Sequence, residues 1–412
     1  MGMDADEKLI YKSSELGLYN GVTGIAYFYL YLGQETGEGK YTEMVDLCIQ
    51  TAWEMIRKNM DRNISLFTGY GSLLYLLVHK AKVYSQQDVH PELLELLDIL
   101  DEMIEEDERL DVISGCAGTL MACVDLYTMF HLPKALDIAT RCADRLLKLA
   151  VPMEQGLAWV TSAINKVPLS GIAHGNAGIC LSLAHLYRVT GHEPYFEACL
   201  EGIKYEESIY SSEVNNWKDL RFTDGNMSEE HYVMYWCNGA PGLGIARVGT
   251  AQELSFRGPI DVLEKDIRRA VTKTMEDGFT EVSYSLCHGD MGNLELILLA
   301  ADYWQDETLE AYAYQMADYI MTKVREDNGH WRCGIPSRQQ IPGLMLGLAG
   351  IGYQLLRLYN RTLPSVLMME GPVSHELKDV EQVTQQDRVE MAFTRQQEYT
   401  AEPSSEPGQH YA

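Results

Sequence analysis

Seven times along this 412-residue chain a small or polar residue is followed by glycine, two further residues, a second glycine and then an apolar run. The copies are LYNGVTGIAYFYLYL around Gly21 and Gly24, LFTGYGSLLYLLV around Gly69, DVISGCAGTLMACVDLY around Gly115 and Gly118, and GIAHGNAGICLSLAHLY around Gly175 and Gly178. YWCNGAPGLGIA around Gly239 and Gly242, SLCHGDMGNLELILLAA around Gly289 and Gly292, and LMLGLAGIGYQLLRLY around Gly347 and Gly350 complete the set. Ser72 stands for the second glycine in the second copy. A period of roughly 46–64 residues belongs to helical repeats, in which each unit buries its apolar face only against its neighbours.

Between the copies lie amphipathic stretches such as KYTEMVDLCIQTAWEMIRKNM and PKALDIATRCADRLLKLA, with apolar residues at three- and four-residue spacing. Each unit therefore reads as an outer amphipathic helix plus a more apolar inner helix entered through glycines that permit close backbone approach. An open solenoid needs polar caps, which neither end shows. The expected fold is all-α, an α/α toroid of seven helical hairpins over residues 14–365, with 1–13 as an N-terminal leader segment and 366–412 as a polar tail.

Composition narrows the functions. With 60 acidic against 33 basic residues the formal charge is −27, which disfavours nucleic acid and anionic lipid as partners. No run reaches the roughly 18 apolar residues of a spanning helix. Nine scattered cysteines, an odd number, and an N-terminus without an apolar signal segment suggest a reducing, cytoplasmic location.

Aligning the copies on their first glycine turns scattered residues into a candidate site. One position before it stand Asn20, Thr68, Ser114, His174, Asn238, His288 and Leu346; two before it stand Tyr19, Phe67, Ile113, Ala173, Cys237, Cys287 and Met345. Equivalent repeats would carry these residues to one rim of the central cavity. Cys237 and Cys287 then hold matching places in adjacent repeats with His288 beside one of them, a donor set suited to one Zn²⁺ with its fourth position open. His174 enters the same rim and Asp111 precedes Gly115 by four residues, which makes them the candidates for acid–base work. The other seven cysteines read as core or surface thiols.

GIAHGNAG at 171–178, YWCNGAPGLG at 235–244, SLCHGDMGN at 285–293 and LMLGLAGIGY at 344–353 resemble the signature segments of lanthionine synthetase C-like cyclases. NNWKDLR at 215–221 followed by WCNGAPG is most similar to the cyclase half of class II lanthipeptide synthetases. The resemblance implies a seven-hairpin toroid, one zinc on Cys237, Cys287 and His288, and thioether ring formation in a dehydrated precursor peptide carrying a leader. It also implies a dehydratase, as another domain or a separate protein. Stand-alone cyclases carry an arginine four residues before the first zinc cysteine and a tyrosine just after it; here Val233 and Asn238 hold those places, and Arg221 is the candidate replacement cation.

Other readings share parts of this pattern. A zinc-dependent transferase would join a thiol such as glutathione to a dehydroamino acid, or a prenyl group to a protein cysteine, and a non-catalytic toroid would dock peptides around structural zinc. Toroidal glycosidases need paired carboxylates, which the repeat register lacks. The segment 214–232 interrupts the helix rhythm beside the proposed site and is expected to act as a lid or peptide contact.

Overall fold

The computed structural model describes residues 15–161, 167–222 and 230–372, with the short paired strands Gly2–Met3 and Leu9–Ile10. Most of the 1–13 segment, the middle of the expected lid and all of 373–412 lie outside the described residues.

Thirteen α-helices alternate between two layers among the described residues. The inner layer is α1 (Val22–Thr36), α3 (Gly71–Val83), α5 (Cys116–Phe130), α7 (Asn176–Thr190), α9 (Ala240–Glu253), α11 (Asp290–Trp304) and α13 (Leu348–Tyr359). Each packs on the next, and α13 packs on α1, so the inner layer closes as a ring. The outer layer is α2 (Gly39–Arg57), α4 (Pro91–Met103), α6 (Pro133–Leu149), α8 (Glu193–Ser208), α10 (Asp261–Asp277) and α12 (Glu307–Glu326), each lying against the inner helix before it. This is the expected α/α toroid; after α13 no outer helix follows among the described residues.

The two layers follow from sequence chemistry. In α6, Ala135, Ile138, Ala139, Cys142, Ala143 and Leu146 form one buried stripe while the rest meets solvent, as an outer helix requires. In α5 every residue from Cys116 to Leu126 is buried, because neighbours cover it on all sides. No helix among the described residues is long and apolar enough to cross a membrane.

The second glycine of the repeat has a specific steric cause. An ideal Cβ on Gly178, Gly242, Gly292 or Gly350 would fall 2.1, 1.7, 1.9 or 1.7 Å from the carbonyl oxygen six residues earlier, that of Ile172, Trp236, Leu286 or Leu344. In these copies the chain entering the inner helix folds back across the helix's own first turn, and only a hydrogen at that position leaves room; α3, with Ser72 there, is the exception. This fold-back carries the residues just before the first glycine onto the rim.

On the rim, the residues two positions before the first glycine bond to one another through their main chains. Ala173 N donates to Cys237 O (3.4 Å), Cys237 N to Cys287 O (3.3 Å), Cys287 N to Met345 O (2.9 Å), Met345 N to Tyr19 O (2.7 Å) and Tyr19 N to Phe67 O (2.9 Å). The Thr68 hydroxyl continues the circuit to Ile113 O at 3.1 Å. The alignment of repeats is thus physical, a chain of hydrogen-bonded groups running along the rim from Ala173 to Ile113.

The tail boundary at 365 needs correction. Val366, Leu367, Met368 and Met369 are buried, because this stretch turns back into the toroid: Trp236 Nε1 donates to Leu367 O (2.9 Å) and the Tyr75 hydroxyl to Glu370 O (2.8 Å). Burying four apolar side chains and capping two indoor donors outweighs keeping the segment in water.

Candidate active site

Cys237 and Cys287 occupy adjacent links of this chain of peptide groups, and their thiols influence each other's ionisation. The neighbouring Cys287 thiol and the Arg221 guanidinium draw the Cys237 thiol down to about 7, against the opposing effect of burial. The same pairing, together with burial, pushes Cys287 well above the ordinary range. The pair therefore shares one proton near neutrality, and its first ionisation belongs to both sulfurs.

Each sulfur has a second, different donor. Arg221 Nη1 lies 3.9 Å from Cys237 Sγ. The Tyr19 hydroxyl donates to Cys287 Sγ at 2.9 Å, and burial raises the phenol's pKa further. Tyr19 belonged to the register but carried no assigned role; its place at the same offset as Cys237 and Cys287 was the signal available in the sequence.

Arg221 is held by a relay. Its Nε and Nη2 donate to Asp219 Oδ1 (2.9 Å) and Oδ2 (2.7 Å), and Asp219 is fully buried. Asn238 Nδ2 also donates to Asp219 Oδ1 at 3.0 Å. The asparagine standing where stand-alone cyclases have tyrosine thus fixes the carboxylate that fixes the arginine. Burial alone would favour loss of the guanidinium proton, but Asp219 and Cys237 more than offset it.

His174 and Asp111 meet across adjacent repeats, with Nδ1 to Oδ2 at 2.9 Å. Asp111 is sealed from solvent while His174 stays partly exposed, the arrangement of an orienting acid behind a proton-exchanging imidazole. Asp111 Oδ1 accepts from Ser114 N at 2.6 Å, which fixes the carboxylate within its own repeat. Burial opposes charge on His174, but the Asp111 bond prevails and raises its pKa; for Asp111 burial prevails and raises the acid too. The loop before His174 is pinned from below, where Glu206 accepts Gly171 N (3.2 Å) and Arg247 Nη2 (2.8 Å) in the core.

His288 behaves differently from the sulfurs. Its Nε2 lies 3.0 Å from the Gly334 carbonyl, which takes the ring proton and leaves Nδ1 with the lone pair. Burial lowers its pKa, so it is neutral at pH 7. The Tyr235 ring meets it edge-on at 5.6 Å between centroids. Two thiols able to ionise and one neutral imidazole with an anchored Nε2 match the donor chemistry of a soft divalent metal. No three His, Cys, Asp or Glu side chains among the described residues are already gathered around a metal position.

The expected lid is anchored over its described parts. Trp217 is fully buried against the Tyr210 ring at 4.9 Å, and Asp219 N donates to His231 O at 2.7 Å. Residues 223–229 of that segment lie outside the described residues.

The sequence profile of the family described as lanthionine synthetase C-like protein matches residues 12–370. The "Lacticin 481/lactococcin biosynthesis protein LcnDR2" of Lactococcus lactis subsp. lactis is 25% identical over 374 residues, covering 87% of this chain and 37% of that protein. The chain thus spans a little over a third of that relative's length. Nisin cyclase superposes with a TM-score of 0.63 at 17% identity, over 89% of this chain and 95% of its own. Cellobiose 2-epimerase from Bacillus thermoamylovorans B4167 superposes with a TM-score of 0.50 at 11% identity, over 87% and 91%. Likeness at these identities concerns the toroid alone. The family profile covers most of the chain, and on that ground the protein belongs to the lanthionine synthetase C-like family.

Proposed function

We propose that this chain is a zinc-dependent peptide cyclase, adding cysteine thiols to dehydroalanine or dehydrobutyrine in the same peptide to form lanthionine and methyllanthionine rings. One observation carries the reading: a thiol pair with a cation at one sulfur shares its rim with an imidazole–carboxylate pair. Both lanthipeptide relatives, a lacticin biosynthesis protein and nisin cyclase, support the same substrate class. The substrate is a dehydrated precursor peptide with its leader. Dehydration falls to a dehydratase, in a longer polypeptide of the relative's kind or in a separate protein.

A zinc ion on Cys237, Cys287 and His288 would supply a position where an incoming peptide thiol ionises at neutral pH. The Gly334 carbonyl orients the His288 ring, and Arg221 offsets negative charge at Cys237. In the addition, the sulfur forms a bond to the β-carbon while the alkene π pair moves to the α-carbon and its carbonyl. The thiol's proton leaves and a proton arrives at the α-carbon, so the peptide's mass is unchanged. His174 performs the exchange through Nε2, since Asp111 engages Nδ1, and the buried carboxylate stabilises the imidazolium whenever it forms.

The test is incubation of a dehydrated, cysteine-containing precursor with the zinc-loaded protein, followed by thiol alkylation and mass spectrometry. Cyclisation blocks alkylation at constant mass. A mass gain in the presence of glutathione identifies a transferase instead, and tight peptide binding with alkylatable thiols identifies a docking toroid.

A further inference from the structure

The two rim sulfurs are held by unlike partners. Cys237 faces a guanidinium at 3.9 Å, whereas Cys287 accepts a short hydrogen bond from a neutral phenol at 2.9 Å. Tyr19 comes from the first repeat and Cys287 from the sixth, 268 residues apart. The phenol is placed by backbone on both sides, since Tyr19 N donates to Phe67 O (2.9 Å) and Tyr19 O accepts from Met345 N (2.7 Å). Met345 O in turn accepts from Cys287 N at 2.9 Å, so the peptide units of Tyr19, Met345 and Cys287 are consecutive links of one hydrogen-bonded chain. The hydroxyl therefore approaches the sulfur from a rigid base and not from a flexible surface side chain.

We infer that Tyr19 is a positioning residue for the metal centre: its hydroxyl holds the Cys287 sulfur at the rim and draws electron density from it. The inference rests on the zinc reading above. A hydrogen bond to a coordinated thiolate withdraws charge that the sulfur would otherwise give to the metal, and outer partners of this kind tune affinity as well as ligand orientation. Arg221 does the same for Cys237 with a full charge, so the toroid closes its repeats into a ring whose first member completes a site built by its fifth and sixth. A phenol contributes its effect without adding net charge, unlike the Arg221 guanidinium at Cys237.

Cobalt(II) serves as the probe, because its thiolate charge-transfer absorption reports the electron density on the sulfurs. In Tyr19→Phe the ring stays and only the hydroxyl is lost. The expected result is retained cobalt binding, a charge-transfer band displaced to longer wavelength and affinity weakened about tenfold in competition with a chelator. Tyr70→Phe removes a hydroxyl that reaches only the Ile56 carbonyl at 3.5 Å, and it leaves band and affinity unchanged. An identical spectrum and affinity in wild type and Tyr19→Phe overturns this inference while the zinc reading stands. Failure of the folded wild type to take up cobalt or zinc overturns the zinc reading and this inference together.

Discussion

Gly242→Ala tests the link between the repeat, the fold and the site. Alanine is the better helix former by about 1 kcal/mol, so a residue inside α9 should gain stability from the exchange if local propensity ruled. Tertiary contact reverses the sign. The new Cβ would stand 1.7 Å from Trp236 O and 3.1 Å from Ile172 Cγ2, and the first of these is main chain. Real contacts to Cβ stay beyond 3.0 Å, so the carbonyl or the helix must move by about 1.3 Å in an interior packed like a crystal. Overpacking of this kind costs ~1–3 kcal/mol even where side chains can yield. With a rigid carbonyl the cost lies at the upper end, so a net loss of about 2 kcal/mol is expected after the helix gain is subtracted. The displaced carbonyl directly precedes Cys237, whose N–H bonds Cys287 O at 3.3 Å, so metal uptake should fall along with stability. Urea titration followed by tryptophan fluorescence, with cobalt uptake in parallel, measures both. Gly39→Ala is the control, since nothing lies within 4 Å of its Cβ position at the start of α2, and its midpoint should stay level or rise. A Gly242→Ala protein as stable as wild type would refute the steric account of the repeat.

The other expectations follow from the site and the core. Cys237→Ala and Cys287→Ala should each lose zinc, read by metal analysis, together with cyclisation; His174→Asn should keep zinc and lose ring formation, and full zinc with full activity in either cysteine variant contradicts the ligand assignment. In metal-free protein the first proton of the thiol pair should leave near pH 7, and Arg221→Gln should move that midpoint upward, because a cation that favours the thiolate is gone; the pH dependence of iodoacetamide labelling at Cys237 reads it. His185 sits between Asp125 (3.1 Å) and Glu253 (2.8 Å), which override its burial and hold its proton up to about 10. A folded pKa above the ordinary 6.5 stabilises fully below that value and is lost as pH climbs toward 10, so the deficit of His185→Gln in denaturant midpoint should be larger at pH 6 than at pH 9.5.

The sequence alone was enough for the toroid and for the sulfur pair. A hydrogen is required where a Cβ would strike the carbonyl six residues back, and that is a local condition, so it repeats in the text of the chain at six of the seven inner helices from Gly24 to Gly350, Ser72 of α3 being the exception. Once the copies are equivalent, residues at one offset share a rim, which is why Cys237 and Cys287 were legible together and His174 and Asp111 beside them.

Tertiary structure decided what depends on partners distant in sequence. Tyr19 reaches Cys287 across 268 residues, and no pattern at either end announces the bond. Asn238 reads as the loss of a tyrosine until Asp219 and Arg221 are seen attached to it. Val366–Met369 reads as the start of a tail until the toroid's interior supplies Tyr75 and Trp236 as donors. The orientation of the His288 ring waits on Gly334, a carbonyl 46 residues away. Steric exclusion acts between near neighbours and leaves a periodic trace, whereas a side-chain hydrogen bond forms wherever closure of the ring happens to bring donor and acceptor together.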